Sequence, residues 1–179
     1  MKKGFTLSEI MVAIGLIGIF ASFSVINLRG GDRERGVRNE AMKVIDGVKK
    51  IQTMALAGKS VDGETPRKYI FQLAGCKDCT IFSLVTDSGF LFEPQTSLEN
   101  AKINVYRINE ENIISDNPVS NLDISFSPPR AQPAISSPER PDTVITSVTI
   151  RIESDKDRNI ARCVSVNAVS GRIDLENCP

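Results

Sequence analysis

MKKGFTLSEIMVAIGLIGIFASFSVINL, Met1 to Leu28, decides how the rest of the chain is read. Lys2 and Lys3 lead into Gly4-Phe5-Thr6-Leu7-Ser8-Glu9, and an apolar run follows from Ile10 to Leu28. About 17–25 apolar residues cross a bilayer as a helix, so the run is long enough to enter one. A carboxylate, Glu9, stands at its mouth. An ordinary secretory leader has a basic start, an apolar core of about 7–15 residues and then a small-residue cleavage site. Here the candidate processing site precedes the apolar run. Cleavage there would leave the helix on the mature protein.

Lys3 to Val12, KGFTLSEIMV, resembles the class III leader of type IV pilins and type II secretion pseudopilins. The resemblance implies that a membrane peptidase cuts between Gly4 and Phe5 and methylates the new Phe5 amine. Glu9 then becomes the fifth mature residue, the place where the family carries its glutamate. The implied partners are other pilin or pseudopilin subunits, the prepilin peptidase and an inner-membrane assembly platform. The implied location is the inner membrane, crossed once, with the globular part outside the cytoplasm, followed by a pilus or pseudopilus.

An acid at the centre of a bilayer costs about 2.5–3.5 kcal/mol on insertion scales, and less toward the interface. Such a group needs a partner, and the resemblance supplies one in the Phe5 amine of a neighbouring subunit. The plainer alternative is that Glu9 is a first-turn acid stabilising the helix dipole. Charge on its own does not orient the segment. Lys2 and Lys3 precede it, but Arg29, Arg33, Arg35 and Arg38 follow, whereas the positive-inside rule puts the excess on the cytoplasmic side. The leader motif and the cysteines set the orientation instead.

The chain has 179 residues, enough for this helix and one domain of about 120 residues. Lys plus Arg and Asp plus Glu both number 22. Loss of Met1–Gly4 removes Lys2 and Lys3, and the balance gives no broad basic face for nucleic acid. Trp is absent, which argues against base-stacking platforms. Histidine is absent too, which removes Ser-His-Asp and Cys-His catalysis and every His-containing metal site. Neither G-x-x-x-x-G-K-[ST] nor G-x-G-x-x-G occurs, so phosphate-cradling loops have no support. No enzyme, cofactor or metal is expected.

Gly30-Gly31 follows the apolar run as a candidate flexible joint. Helical spacing then resumes, with Val37, Ala41, Val44, Ile45, Val48, Ile51 and Ala55 forming one apolar stripe. Gly58 is the expected stop. Beyond it the pattern turns to strands at Lys68–Leu73, Thr80–Thr86, Phe90–Phe92, Ala101–Ile108, Leu122–Ser127, Thr143–Glu153, Ile160–Asn167 and Gly171–Leu175. In Ala101–Ile108, Ile103, Val105 and Arg107 are expected on one face. Asp87-Ser88-Gly89 and Ala168–Gly171 are turn signals. Ser127–Asp142 is proline-rich and reads as an exposed connector, with a loop that contacts a subunit or partner as the alternative. The predicted class is α+β: a long N-terminal helix, membrane half then amphipathic half, packed on a mostly antiparallel sheet. The predicted division is leader 1–4, hydrophobic helix 5–28, amphipathic continuation 29–58 and β-rich domain 59–179, with the proline-rich loop at 127–142.

The cysteines are Cys76, Cys79, Cys163 and Cys178. Export would place them where disulfides persist. The favoured pairs are Cys76–Cys79, closing a bend between strands, and Cys163–Cys178, pinning the last hairpin. A thioredoxin-like Cys76-x-x-Cys79 dithiol and a four-cysteine zinc site are the alternatives.

Val164–Ile173 and Val48–Gly58 are similar to parts of H-type minor pseudopilins and FimT-like minor pilins. Some FimT-like proteins bind DNA through Gly-Arg-x-Arg. Here Gly171-Arg172-Ile173-Asp174 puts an acid at the last position, where it repels phosphate. The expected function is a structural subunit assembled through its N-terminal helix. The alternative is a monomeric, membrane-tethered binding or thiol-redox domain.

Overall fold

A computed structural model describes residues 6–61, 63–76, 78–89, 95–110, 114–115, 119–129 and 132–178, with the side chains at 22–30, 106–107, 110 and 114–115 outside that description. The protein is α+β. It divides into two compact units, Met1–Arg35 and Gly36–Pro179. Its helix α1, Leu7–Ala57, contributes to both and includes Gly30-Gly31, the expected joint.

The end of α1 is set by Gly58. Its φ of 56° is a left-handed conformation that costs glycine little. The Gly58 amide donates to the Ala55 carbonyl at 3.2 Å, and the Lys59 amide donates to the Met54 carbonyl at 3.1 Å. Those two bonds are the Schellman pattern, which satisfies carbonyls the helix leaves open.

The strands are β1 Tyr69–Leu73, β2 Ile81–Thr86, β3 Thr96–Ser97, β4 Ala101–Glu110, β5 Ile114–Ser115, β6 Leu122–Phe126, β7 Pro133–Ser136, β8 Ile145–Ser154, β9 Ala161–Asn167 and β10 Ile173–Glu176. All the pairings are antiparallel. One run of neighbours is β10-β9-β8-β7-β6-β1-β2-β3, and β4 adds to β8. The sheet curls back on itself. β7 touches β8 through the single pair Ile135–Ile145. Cys79, just before β2, pairs with Ile103 of β4.

Alternation sends Tyr69, Phe71 and Leu73 of β1, Leu122, Ile124 and Phe126 of β6, and Val148, Ile150 and Ile152 of β8 inward. They join one buried cluster with the whole predicted helix stripe from Val37 to Ala55. Each large aliphatic side chain so buried contributes roughly 1.5–3 kcal/mol. Helix and sheet come close at Gly47. A Cβ there would lie 2.9 Å from Phe82 Cε2 and 3.3 Å from Phe71 Cε2. The two rings pack with centroids 5.0 Å apart.

Two sequence expectations need correction. Ser127–Asp142 is more than an exposed connector, because β7 lies inside it, paired to β6 with Phe126 opposite Pro133. Pro133 is the first strand residue, where a missing N–H is tolerated, and Ile135 is buried. In β4 a bulge between Val105 and Arg107 shifts the register by one residue. The simple alternation expected across Ala101–Ile108 is therefore interrupted, and Ile108 beyond the bulge is buried. Side chains 106–107 and the expected strand Phe90–Phe92 lie outside the described residues.

Candidate functional site

The unit Met1–Arg35 carries the features that the sequence singled out. Gly4 and Phe5, the expected cleavage and methylation positions, lie outside the described residues. Thr6 and Glu9 do not, and they form a reciprocal cap. The Thr6 amide and hydroxyl donate to Glu9 Oε2 at 2.9 and 2.8 Å. The Glu9 amide donates back to Thr6 Oγ1 at 3.4 Å. This is a capping box, with Thr6 before the first helical residue and an acid three positions on. In the single chain the Glu9 carboxylate is thus bonded to Thr6 at the start of the helix. It is exposed, and among the described residues no bond reaches its Oε1.

Thr-x-x-Glu before an apolar run is the sequence signal for this cap.

Beyond Glu9, Ile10, Met11, Val12, Ile14, Leu16, Ile17, Ile19 and Phe20 are all at least half exposed. These positions go round the helix rather than along one stripe. A helix apolar on all sides is normally covered by protein or lipid. A Cβ built on Gly15 or Gly18 would meet nothing within 4 Å, so among the described residues no close packing accounts for these two glycines. Among the described residues no helix is long and apolar enough to cross a membrane. The side chains at 22–28, part of the expected span, lie outside that description.

In the unit Gly36–Pro179, Cys76 and Cys79 are bonded with Cα atoms 4.7 Å apart, and Cys163 and Cys178 with Cα atoms 5.0 Å apart. The second bond crosses the β9–β10 hairpin, where Glu176 faces Cys163. Among the described residues no group of His, Cys, Asp and Glu is placed to hold a metal ion. Arg172 Nε is ion-paired with Asp174 Oδ2. The acid that interrupts Gly-Arg-x-Arg thus offsets the charge of the arginine before it. The proline-rich segment is held by Glu139, whose Oε1 accepts from the Ser120 amide at 2.8 Å and from the Asn121 amide and side chain at 3.2 Å. No sequence pattern singled out Glu139, because these partners are long-range.

Residues 1–25 match the family model of the prokaryotic N-terminal methylation motif. The chain carries the class III pilin leader. The motif suggests a precursor of type IV pilin or pseudopilin kind and indicates a structural protein rather than an enzyme. It implies prepilin peptidase processing at the membrane, assembly with other pilin subunits in general, and an extracytoplasmic pilus. Comparison with curated proteins and with solved structures found no match.

Proposed function

We propose that this protein is a minor pilin or pseudopilin, a structural subunit of a type IV pilus or type II secretion pseudopilus. The single observation that carries this reading is the all-round exposed apolar surface from Ile10 to Phe20, within the residues that match the methylation motif. Before assembly the apolar run Ile10–Leu28 anchors the chain in the inner membrane as a single span. After cleavage at Gly4-Phe5, neighbouring subunits take the place of lipid. Gly15 and Gly18 let helices approach closely. The H-type or FimT-like assignment rests on the resemblance of Val48–Gly58 and Val164–Ile173.

Glu9 has two successive tasks. In the single chain its carboxylate closes the cap on Thr6. In the assembly it pairs with the methylated Phe5 amine of a neighbour, a charge pair strengthened by low dielectric. Glu9→Gln separates the tasks, because glutamine also serves in a capping box but carries no charge. The expected result is a folded, processed protein that fails to enter filaments. Normal incorporation of the variant would leave Glu9 with the cap alone. Mass analysis of the wild-type N-terminus should find N-methylated Phe5. A chain beginning at Met1, or cut near Ala21-Ser22, would overturn the reading.

A further inference from the structure

The curled sheet closes at the pair between Cys79 and Ile103. The Ile103 amide donates to the Cys79 carbonyl at 2.6 Å, and the Cys79 amide donates to the Ile103 carbonyl at 3.2 Å. Beside it the Asp78 amide donates to Asn104 Oδ1 at 2.8 Å, and Asn104 Nδ2 donates to Asp78 Oδ1 at 3.1 Å. Asp78 has a φ of 61°, a left-handed conformation sparsely populated by residues other than glycine. Aspartate tolerates this conformation better than most residues, and the two bonds to Asn104 fix it there. The Cys76–Cys79 bond spans this residue, and the buried Cys76 is itself fixed, its amide donating to the Ser120 carbonyl.

We propose that the Cys76–Cys79 disulfide is a redox-sensitive latch on the seam between β4 and the residues leading into β2. With the bond intact, Asp78 and Cys79 are held in register against Asn104 and Ile103. A dithiol reductant opens the latch. Its two thiols become one disulfide, and two electrons and two protons pass to the Cys76 and Cys79 sulfurs. The Cys163–Cys178 bond has no such control, since its hairpin is held by ladder pairs from Ile173–Val166 to Glu176–Cys163.

The test uses the full-length protein in detergent and hydrogen–deuterium exchange with and without dithiothreitol. Reduction should raise exchange at the Ile103 and Cys79 amides about tenfold or more while β8 and β9 remain protected. Cys76→Ser with Cys79→Ser should do the same, and Cys163→Ser with Cys178→Ser should leave the seam closed. Coupling is reciprocal. Asn104→Ala, which keeps both cysteines and removes the hydrogen bonds of Asn104 to Asp78 and to Glu153, should therefore shift the thiol–disulfide equilibrium of Cys76–Cys79 about tenfold toward the dithiol. Unchanged exchange at Ile103 after reduction overturns the latch. So does a rise shared equally by β8 and β9, or an unchanged thiol–disulfide equilibrium in Asn104→Ala.

Discussion

The two stretches of α1 are built on opposite rules. From Ile10 to Phe20 large apolar side chains face every direction and are exposed. From Val37 to Ala55 the apolar residues keep to one stripe, and that stripe is buried with the strands. The difference teaches that periodicity, not hydrophobicity, records where a helix's partner is. A one-sided stripe names a partner on one side, here the sheet of the same chain. An all-round surface names a surrounding medium, lipid or a bundle of like helices.

The sharpest way to break this comparison is to truncate one isoleucine in each stretch. Ile51 is fully buried, whereas Ile17 is 67% exposed. Ile51→Ala should cost the domain about 2–5 kcal/mol in chemical denaturation, from lost burial and a residual cavity. Ile17→Ala should leave domain stability within about 0.5 kcal/mol. An equal loss in both would mean that the first stretch has a partner inside the chain.

Glycine gives a second contrast with a smaller effect. Ala for Gly in an exposed helix interior gains about 1 kcal/mol from propensity. At Gly47 the added methyl would meet the Phe82 ring at 2.9 Å, and both Phe71 and Phe82 are buried and unable to yield freely. Overpacking of this kind costs about 1–3 kcal/mol, so Gly47→Ala should lower domain stability. Gly15→Ala should raise helicity of the isolated chain in detergent, since nothing stands near its Cβ. Circular dichroism and thermal melts of the pair check both signs.

The stripe from Val37 to Ala55 was legible because a single amphipathic helix writes its burial locally, every three or four residues. Gly58 was legible because a left-handed cap favours one residue type. β7 was not, because Pro133 counts against a strand unless one knows that it occupies the first position. Nor was the bulge after Val105, which depends on β8 opposite and leaves no mark in β4 itself. The closure of the sheet joins residues far apart in sequence, Cys79 to Ile103. Of the candidate site, the leader and Glu9 were plain from residue type and spacing. The cap on Thr6 was equally local and was overshadowed by the apolar run behind it.

The helix ends carry the same contrast, and they set the two smallest effects. At the N-terminal end Thr6 and Glu9 cap each other from within four residues. Thr6→Ala should cost about 1 kcal/mol locally, seen as faster amide exchange in the first turn, with no change in the domain's melting temperature. At the other end the lock comes from the sheet. The hydroxyl of Tyr69, a fully buried β1 residue, donates to the Lys59 carbonyl just beyond α1. Burial, and then the negative charge of Asp87, push the Tyr69 hydroxyl's pKa upward. The unfolded chain would ionise this group near pH 10, before the folded chain does. Its contribution is therefore complete below about pH 10 and is lost as pH rises through the higher folded value. Tyr69→Phe should cost about 0.5–1.5 kcal/mol at pH 8, the worth of one hydrogen bond. The gap between wild type and variant in urea denaturation should narrow above pH 10, because phenylalanine has no proton to lose. A constant gap across that range would mean that the hydroxyl does not hold the helix end. The lock would then rest on packing and Gly58 alone.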